Sequence, residues 1–141
     1  MDKAIGLDLG KKTCGIAYSD ALGFVHGIET YRFKAFDFED AAKHLVEVAK
    51  QKEVLELALG LPLHLSGNMS EMGNNVMQFK EILLRLNPNF KITLIDERLT
   101  SVQAHRTLTE MNMNSKKQKS VVDTYAACEI LDTYVRQRKG N

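Results

Sequence analysis

At 141 residues, with 44% hydrophobic and 26% charged residues, the chain has the size and composition of one ordinary globular domain with a real core. A net charge of +1 excludes a surface that attracts polyanions everywhere, so any nucleic-acid contact has to come from local clusters of lysine and arginine. No apolar stretch approaches membrane-spanning length, and no signal peptide precedes the first strand-like segment. Cys14 and Cys128 are too few for a disulfide framework or a zinc site, and read as small buried hydrophobes in a reducing cytoplasm.

Residues 3–9 alternate, with Ile5, Leu7 and Leu9 on one side and Ala4, Gly6 and Asp8 on the other, which predicts a strand. Gly10, Lys11 and Lys12 make a turn, residues 13–19 return, Asp20 to Gly23 turns again, and residues 26–33 form a third strand: an antiparallel meander. The period then changes. After Asp37, a candidate N-cap, the positions Phe38, Ala41, Ala42, Leu45, Val48 and Ala49 mark an amphipathic helix. A buried strand at 54–59 leads into the loop GLPLHLSGN, and a second helix over about 70–86 carries Met72, Val76, Phe79, Leu83 and Leu86 on one stripe. Residues 91–95 form the fifth strand, and Thr100 with Gln103 makes a capping box for a third helix. A lysine-rich connection at 112–120 reaches the last helix, 121–137. Right-handed crossovers put strands four and five beside strand one. The expected architecture is therefore α/β, a ribonuclease H-like five-stranded mixed sheet of order 3-2-1-4-5 flanked by helices, in a single domain over 1–141.

Three carboxylates occupy positions that folding would give to hydrophobic residues: Asp8 in the first strand, Glu97 closing KITLIDE, and Asp123 on the apolar side of the last helix. An unpaired buried carboxylate costs on the order of several kcal/mol or takes up a proton. Asp8 has only Ala4, Gly6 and Gly10 on its face, so a metal and a phosphate have room to approach; its bland reading is a turn-proximal aspartate bonding to amides near Gly10. Asp96 and Glu97 sit together at a strand's carboxyl end, where ligand sites of α/β sheets gather. Alternation aims them at opposite faces, so one joins Asp8 while the other caps the following turn or pairs with Arg98; spacing leaves the choice open. Asp123 shares a face with Ala126, Ala127, Ile130 and Tyr134, and the two alanines allow the helix to lie close on the sheet. Its bland reading is an acid favoured by the helix dipole. Glu129 and Asp132 read as solvated. Three acids in so small a chain point to hard divalent cations, Mg²⁺ or Mn²⁺ and two ions rather than one, which activate water and stabilise the leaving oxygen in phosphodiester hydrolysis.

Lys12 and Thr13 in the first turn, Arg98 beside Glu97, and Lys116, Lys117 and Lys119 before Asp123 would rim such a centre with positive charge. The bland reading of the lysine run is a solvated loop. His64 and His105 read as surface or packing residues, since no partner fixes either as a base. The GLPLHLSG loop is expected to border the site, with Gly60 and Pro62 shaping its turn and Gly67 relaxing it.

The segments GLDLGKKTCGIAYSD, ALGLPLHLSG, IDERLTS and VVDTYAACEIL resemble, in order and spacing, the YqgF/RuvX family, and the likeness runs from Ile5 to about Tyr134. Members of that family go by two kinds of name, pre-16S rRNA nuclease and Holliday junction resolvase. The resemblance implies a cytoplasmic, divalent-metal-dependent nuclease that matures the 5′ end of 16S ribosomal RNA, with Asp8, Glu97 and Asp123 as its catalytic acids and metal ligands. Two features depart from the family pattern. Gln118 and Ser120 interrupt the basic run, and Leu63 stands where a lysine often follows GLP, so substrate grip is weaker or differently distributed. Precursor rRNA and branched DNA both stay open as substrates, as do a monomer and a weak homodimer; cutting a junction on two strands calls for a symmetric dimer. Two other readings compete. GLDLG with a return strand also resembles the first phosphate loop of the actin and hexokinase superfamily, whose members need a second such domain. A noncatalytic RNA-binding or ribosome-assembly factor would keep the acids without turnover.

Overall fold

The computed structural model describes residues 3–102 and 116–139, with backbone alone along 116–123 and at 139. Its strands are β1 (Ala4–Leu9), β2 (Thr13–Ser19), β3 (Val25–Arg32), β4 (Glu56–Leu61) and β5 (Lys91–Asp96). The described helices are α1 (Phe38–Lys52), α2 (Glu71–Leu86) and α3 (Lys116–Lys139). The strands form one sheet of order β3-β2-β1-β4-β5, in which β1, β2 and β3 pair antiparallel and β4 pairs parallel with both β1 and β5. This is the order expected from the sequence.

The two faces of β1 meet different neighbours, as its alternation requires. Ile5, Leu7 and Leu9 enter a cluster with Ile16, Leu57 and Leu59 from the sheet, Phe38, Ala41, Ala42 and Leu45 from α1, and Val76, Phe79 and Leu83 from α2. Ala4 lies on the other side with Ala17, Ala58 and Ile95, covered by Ala126, Ala127, Ile130, Leu131 and Val135 of α3. The layers are thus α1 and α2, the sheet, and α3. Cys14 is buried in the first cluster, as expected of a small hydrophobe. Among the described residues no helix is long and apolar enough to cross a membrane.

Local chemistry explains the helix ends. The Asp37 side chain accepts from the Asp40 amide at 3.2 Å to start α1, and Ser70 accepts from the Gly73 amide at 2.9 Å to start α2. α1 ends with Glu53 in a left-handed conformation (φ 56°), its amide bonding to the Lys50 carbonyl while the Val54 amide reaches back to Ala49.

Two elements differ from the sequence reading by more than one residue. β4 runs over 56–61 rather than 54–59, because Val54 closes the end of α1 and Leu55 only offers its carbonyl to the Lys91 amide before full pairing begins at Glu56. α3 begins at Lys116 rather than at 121: lysine and glutamine are good helix formers, and nothing between 116 and 121 breaks a helix. The Thr100 hydroxyl accepts from the Val102 amide at 3.2 Å; Gln103, on which the expected capping box depends, and His105 lie outside the described residues.

Candidate active site

Asp8 is 6% exposed and Glu97 2% exposed, so both candidate acids on the sheet side are interior residues. Asp8 lies in one row across the sheet. It pairs with Gly15 of β2, and Gly15 pairs with Thr30 of β3. On the other side, the parallel register that matches Leu7 with Leu59 brings Gly60 next to Asp8 in sequence step. Parallel partners in register point the same way, so Asp8 and Gly60 share the face covered by α3.

Glu97 reaches that row from outside the sheet. β5 ends at Asp96, and the chain enters a 3-10 turn over Glu97–Leu99. A Cβ placed on Gly60 would lie 3.3 Å from Glu97 Oε2 and 2.5 Å from Ile130 Cδ1. The Glu97 carboxylate therefore rests over Gly60, beside the strand that carries Asp8. Gly60 is a floor residue inside β4, not the turn-shaping residue expected from its place before Pro62.

Asp96 and Arg98 hold the turn in place. Asp96 Oδ1 accepts from the Arg98 amide at 2.9 Å, and the Arg98 guanidinium meets both Asp96 oxygens, Nε at 3.1 Å to each and Nη2 at 2.6 Å to Oδ2. Arg98 Nη1 also donates to the Leu65 carbonyl at 3.2 Å, which ties the 62–69 loop to the end of β5. The hydrogen bonds from Arg98 hold the Asp96 carboxyl below the usual carboxylate range, and Asp96 in turn raises Arg98. The choice that spacing left open is settled: Asp96 both caps the turn and pairs with Arg98, while Glu97 turns inward. Much of the Arg98 donor capacity is spent inside the protein.

α3 closes the site from above, very near the sheet. A Cβ on Gly6 would come within 2.6 Å of Leu131 Cβ and 2.7 Å of the Ala127 carbonyl oxygen, and one on Gly27 within 2.2 Å of Thr124 Cγ2. The hydroxyls of Thr30 and Thr124 meet at 3.1 Å, so α3 is latched to the same row that holds Asp8. Asp123 is the helical residue immediately before Thr124; its side chain, like those of Lys116, Lys117 and Lys119, lies outside the described residues. Among the described residues no three acids, histidines or cysteines gather as a metal site. What is described is two buried acids, Asp8 in β1 and Glu97 against Gly60 of the neighbouring β4.

The remaining candidates divide. Lys12 is exposed and Thr13 half-buried in the β1–β2 turn, where the Gly10 amide donates to the Thr13 carbonyl at 2.7 Å. His64 is exposed, as expected. Glu129, read as solvated, instead accepts from the Ser101 hydroxyl at 3.1 Å, and Asp132 pairs with Arg136. Arg138 bonds to Glu56 at 3.3 Å and lies over the Tyr134 ring, which takes it away from the substrate side. Gly6, Gly27 and the Thr30–Thr124 latch were not anticipated. The small residues on the Asp8 face were read as room for a metal and a phosphate; at Gly6 that room is taken by Ala127 and Leu131 of α3.

Comparison with known proteins fits this geometry. The model of a family described as RuvX: Holliday junction resolvase matches residues 2–137. A protein of Halalkalibacterium halodurans named "Putative pre-16S rRNA nuclease" is 37% identical over 138 residues, 97% of this chain and 98% of its own length. One of the same name from Staphylococcus carnosus is 34% identical over 134 residues, 94% of each chain. Among solved structures, RuvC of Thermus thermophilus in complex with a Holliday junction substrate aligns with a TM-score of 0.63 at 11% identity, covering 100% of this chain and 98% of that one. The yeast mitochondrial Holliday junction resolvase Ydc2 aligns at 0.54 and 12% identity, covering 99% and 81%. These two likenesses establish the fold.

Proposed function

The chain belongs to the RuvX family and is a nuclease, and from that premise we propose that it uses divalent metal, held by Asp8, Glu97 and Asp123, to hydrolyse phosphodiester bonds at the 5′ end of precursor 16S ribosomal RNA. The observation that supports this reading is a pair of buried carboxylates, 6% and 2% exposed, on adjacent strands of the sheet: Asp8 near the carboxyl end of β1, and Glu97 against Gly60 of the neighbouring β4. The donor set fits the group: hard carboxylate oxygens of the kind that Asp8, Glu97 and Asp123 offer suit Mg²⁺ or Mn²⁺. When bound, a pair of such ions supplies an activated water and stabilisation of the leaving oxygen.

The chain's own residues do the positioning. The doubly bonded Asp96–Arg98 pair fixes the backbone on both sides of Glu97, so its carboxylate is aimed before substrate arrives. Ile95, Ile130 and Val102 pack on the interior side and keep water to the open edge. The latch at Thr124 sets the height of α3, and with it the residue before it, Asp123. Exposed Lys12, with Lys116, Lys117 and Lys119 on the first turn of α3, supplies phosphate contacts that orient a strand without reading its sequence. On this reading the protein acts in the cytoplasm, where precursor ribosomal RNA is processed.

A second reading is favoured by the family's own description: cleavage of branched DNA. The experiment is metal-dependent cleavage of a 5′-extended 16S precursor against a synthetic four-way junction, with Asp8→Asn as control. Faster cleavage of the precursor, abolished in Asp8→Asn, is the expected result. Preferential cutting of the junction in paired, symmetric positions would replace it with the second reading.

A further inference from the structure

One exposed aromatic residue stands at the substrate edge in a conformation that its type disfavours. Phe36 is 54% exposed and has φ 64°. It occupies the third position of a turn closed by the Asp37 amide on the Lys34 carbonyl at 2.8 Å, a place that ordinarily goes to glycine or asparagine. A bulky residue held with positive φ is a true outlier, and such strain persists where something else gains from it.

The turn is fixed to the active-site edge of the sheet by two main-chain bonds. The Phe36 amide donates to the Lys11 carbonyl at 2.8 Å, and the Phe33 amide to the Lys12 carbonyl at 2.9 Å. Lys11 and Lys12 follow Asp8 in the β1–β2 turn, so Phe36 is anchored a few residues from the first carboxylate. Its ring meets Phe38 edge-on at 6.1 Å, which steadies one edge while most of the ring stays open. Lys11, Lys12 and Lys34 are all exposed, and no ion pair engages them among the described residues. The nearby acids are occupied: Asp37 caps α1, Asp40 accepts from the Tyr31 hydroxyl at 2.8 Å, and Glu39 pairs with Arg85.

We propose that Phe36 is a stacking platform for an unpaired base of the substrate, with Lys11, Lys12 and Lys34 on the flanking phosphates. An aromatic face beside free cations is the chemistry that holds single-stranded nucleic acid without sequence preference. Phe36 leaves the sheet edge on the α1 side and Asp8 on the α3 side, so the stacked base lies across the β1–β2 turn from the candidate acids. The inference rests on the nuclease reading and narrows it: the substrate strand that crosses the β1–β2 turn is unpaired.

The test uses the full-length protein in EDTA and fluorescein-labelled oligonucleotides, single-stranded RNA, single-stranded DNA and blunt duplex RNA, with 2-aminopurine as a second reporter of stacking. Phe36→Gly suits the left-handed backbone and should keep or raise the melting temperature. Its affinity for both single strands should fall about 5- to 100-fold, with little change on duplex and loss of 2-aminopurine quenching, while Phe36→Tyr stays near wild type. Unchanged single-strand affinity in Phe36→Gly, or an equal loss on duplex, overturns the proposal. Cleavage by wild type is scored separately with Mn²⁺. Normal cleavage with a Phe36-independent affinity removes the stacking platform alone. No cleavage with a Phe36-dependent affinity removes the nuclease reading alone.

Discussion

Replacing Gly6 with alanine should damage the enzyme without touching a carboxylate or a substrate contact. In an open strand, glycine to alanine is stabilising by about 0.5–1 kcal/mol, because alanine loses less backbone entropy on folding. Here the sign reverses. The new methyl would stand 2.6 Å from Leu131 Cβ and 2.7 Å from the Ala127 carbonyl oxygen. Non-bonded carbon atoms rest at about 3.5–4.0 Å, so α3 must lift by roughly 1 Å. Neither neighbour is the free end of a flexible side chain, so no rotamer change relieves the clash. Overpacking of this kind costs about 1–3 kcal/mol, readable as a lower midpoint in urea at unchanged slope. The lift also moves Asp123 relative to Asp8 and Glu97, and a displacement of about 1 Å at a reacting centre costs on the order of 100-fold in rate. Turnover at saturating substrate, measured well below the unfolding midpoint, should fall by about that factor. Wild-type stability would show that α3 does not rest on Gly6. Lost stability with normal turnover would show that the height of α3 is irrelevant to the chemistry.

Glu53→Gly places the preferred residue at the left-handed end of α1 (φ 56°) and should stabilise the protein by about 1 kcal/mol in urea melts; the exposed contact it removes, Lys3 at 3.9 Å, is worth little. Removing Lys116, Lys117 and Lys119 together should weaken RNA binding across sequences and flatten the slope of log affinity against log salt by about 2–3 units, with turnover at saturation much less affected. Asp96 titrates below the usual carboxylate range because of its bonds from Arg98. A depressed folded value means that its stabilisation is complete above the unfolded value, about 3.9, and is lost as pH falls through the lower folded one. An NMR titration should find the Asp96 carboxyl still ionised near pH 4, and Asp96→Asn should remove its share of acid sensitivity.

The fold was legible because its signals are local. The two-sided alternation of β1, the turn at Gly10 and the change of period after Asp37 each specify an element, and chain order then leaves few topologies. The acids were less legible. Alternation could not choose between Asp96 and Glu97, since it applies to a strand, and the chain leaves the strand at Asp96; in the 3-10 turn that follows, period two no longer holds. Gly60 looked like turn chemistry before Pro62, and only Ile130, far along the chain, reveals why a side chain is excluded there. The Thr30–Thr124 bond joins residues 94 positions apart and leaves no trace in any local pattern. The early start of α3 was hidden because helix propensity continued beyond the point where hydrophobic periodicity stopped.

The central claim is that Asp8 and Glu97, with Asp123, hold the divalent ions that cleave the substrate. The direct measurement is isothermal titration of Mn²⁺ into wild type and into Asp8→Asn, Glu97→Gln and Asp123→Asn, each variant first shown to be folded, alongside precursor-rRNA cleavage by the same four preparations. The account predicts metal binding and cleavage in wild type, with both greatly reduced in every variant and no loss of fold. Full Mn²⁺ affinity and full cleavage in any one variant would contradict that residue's place in the site, and metal-independent cleavage by wild type would contradict the claim itself.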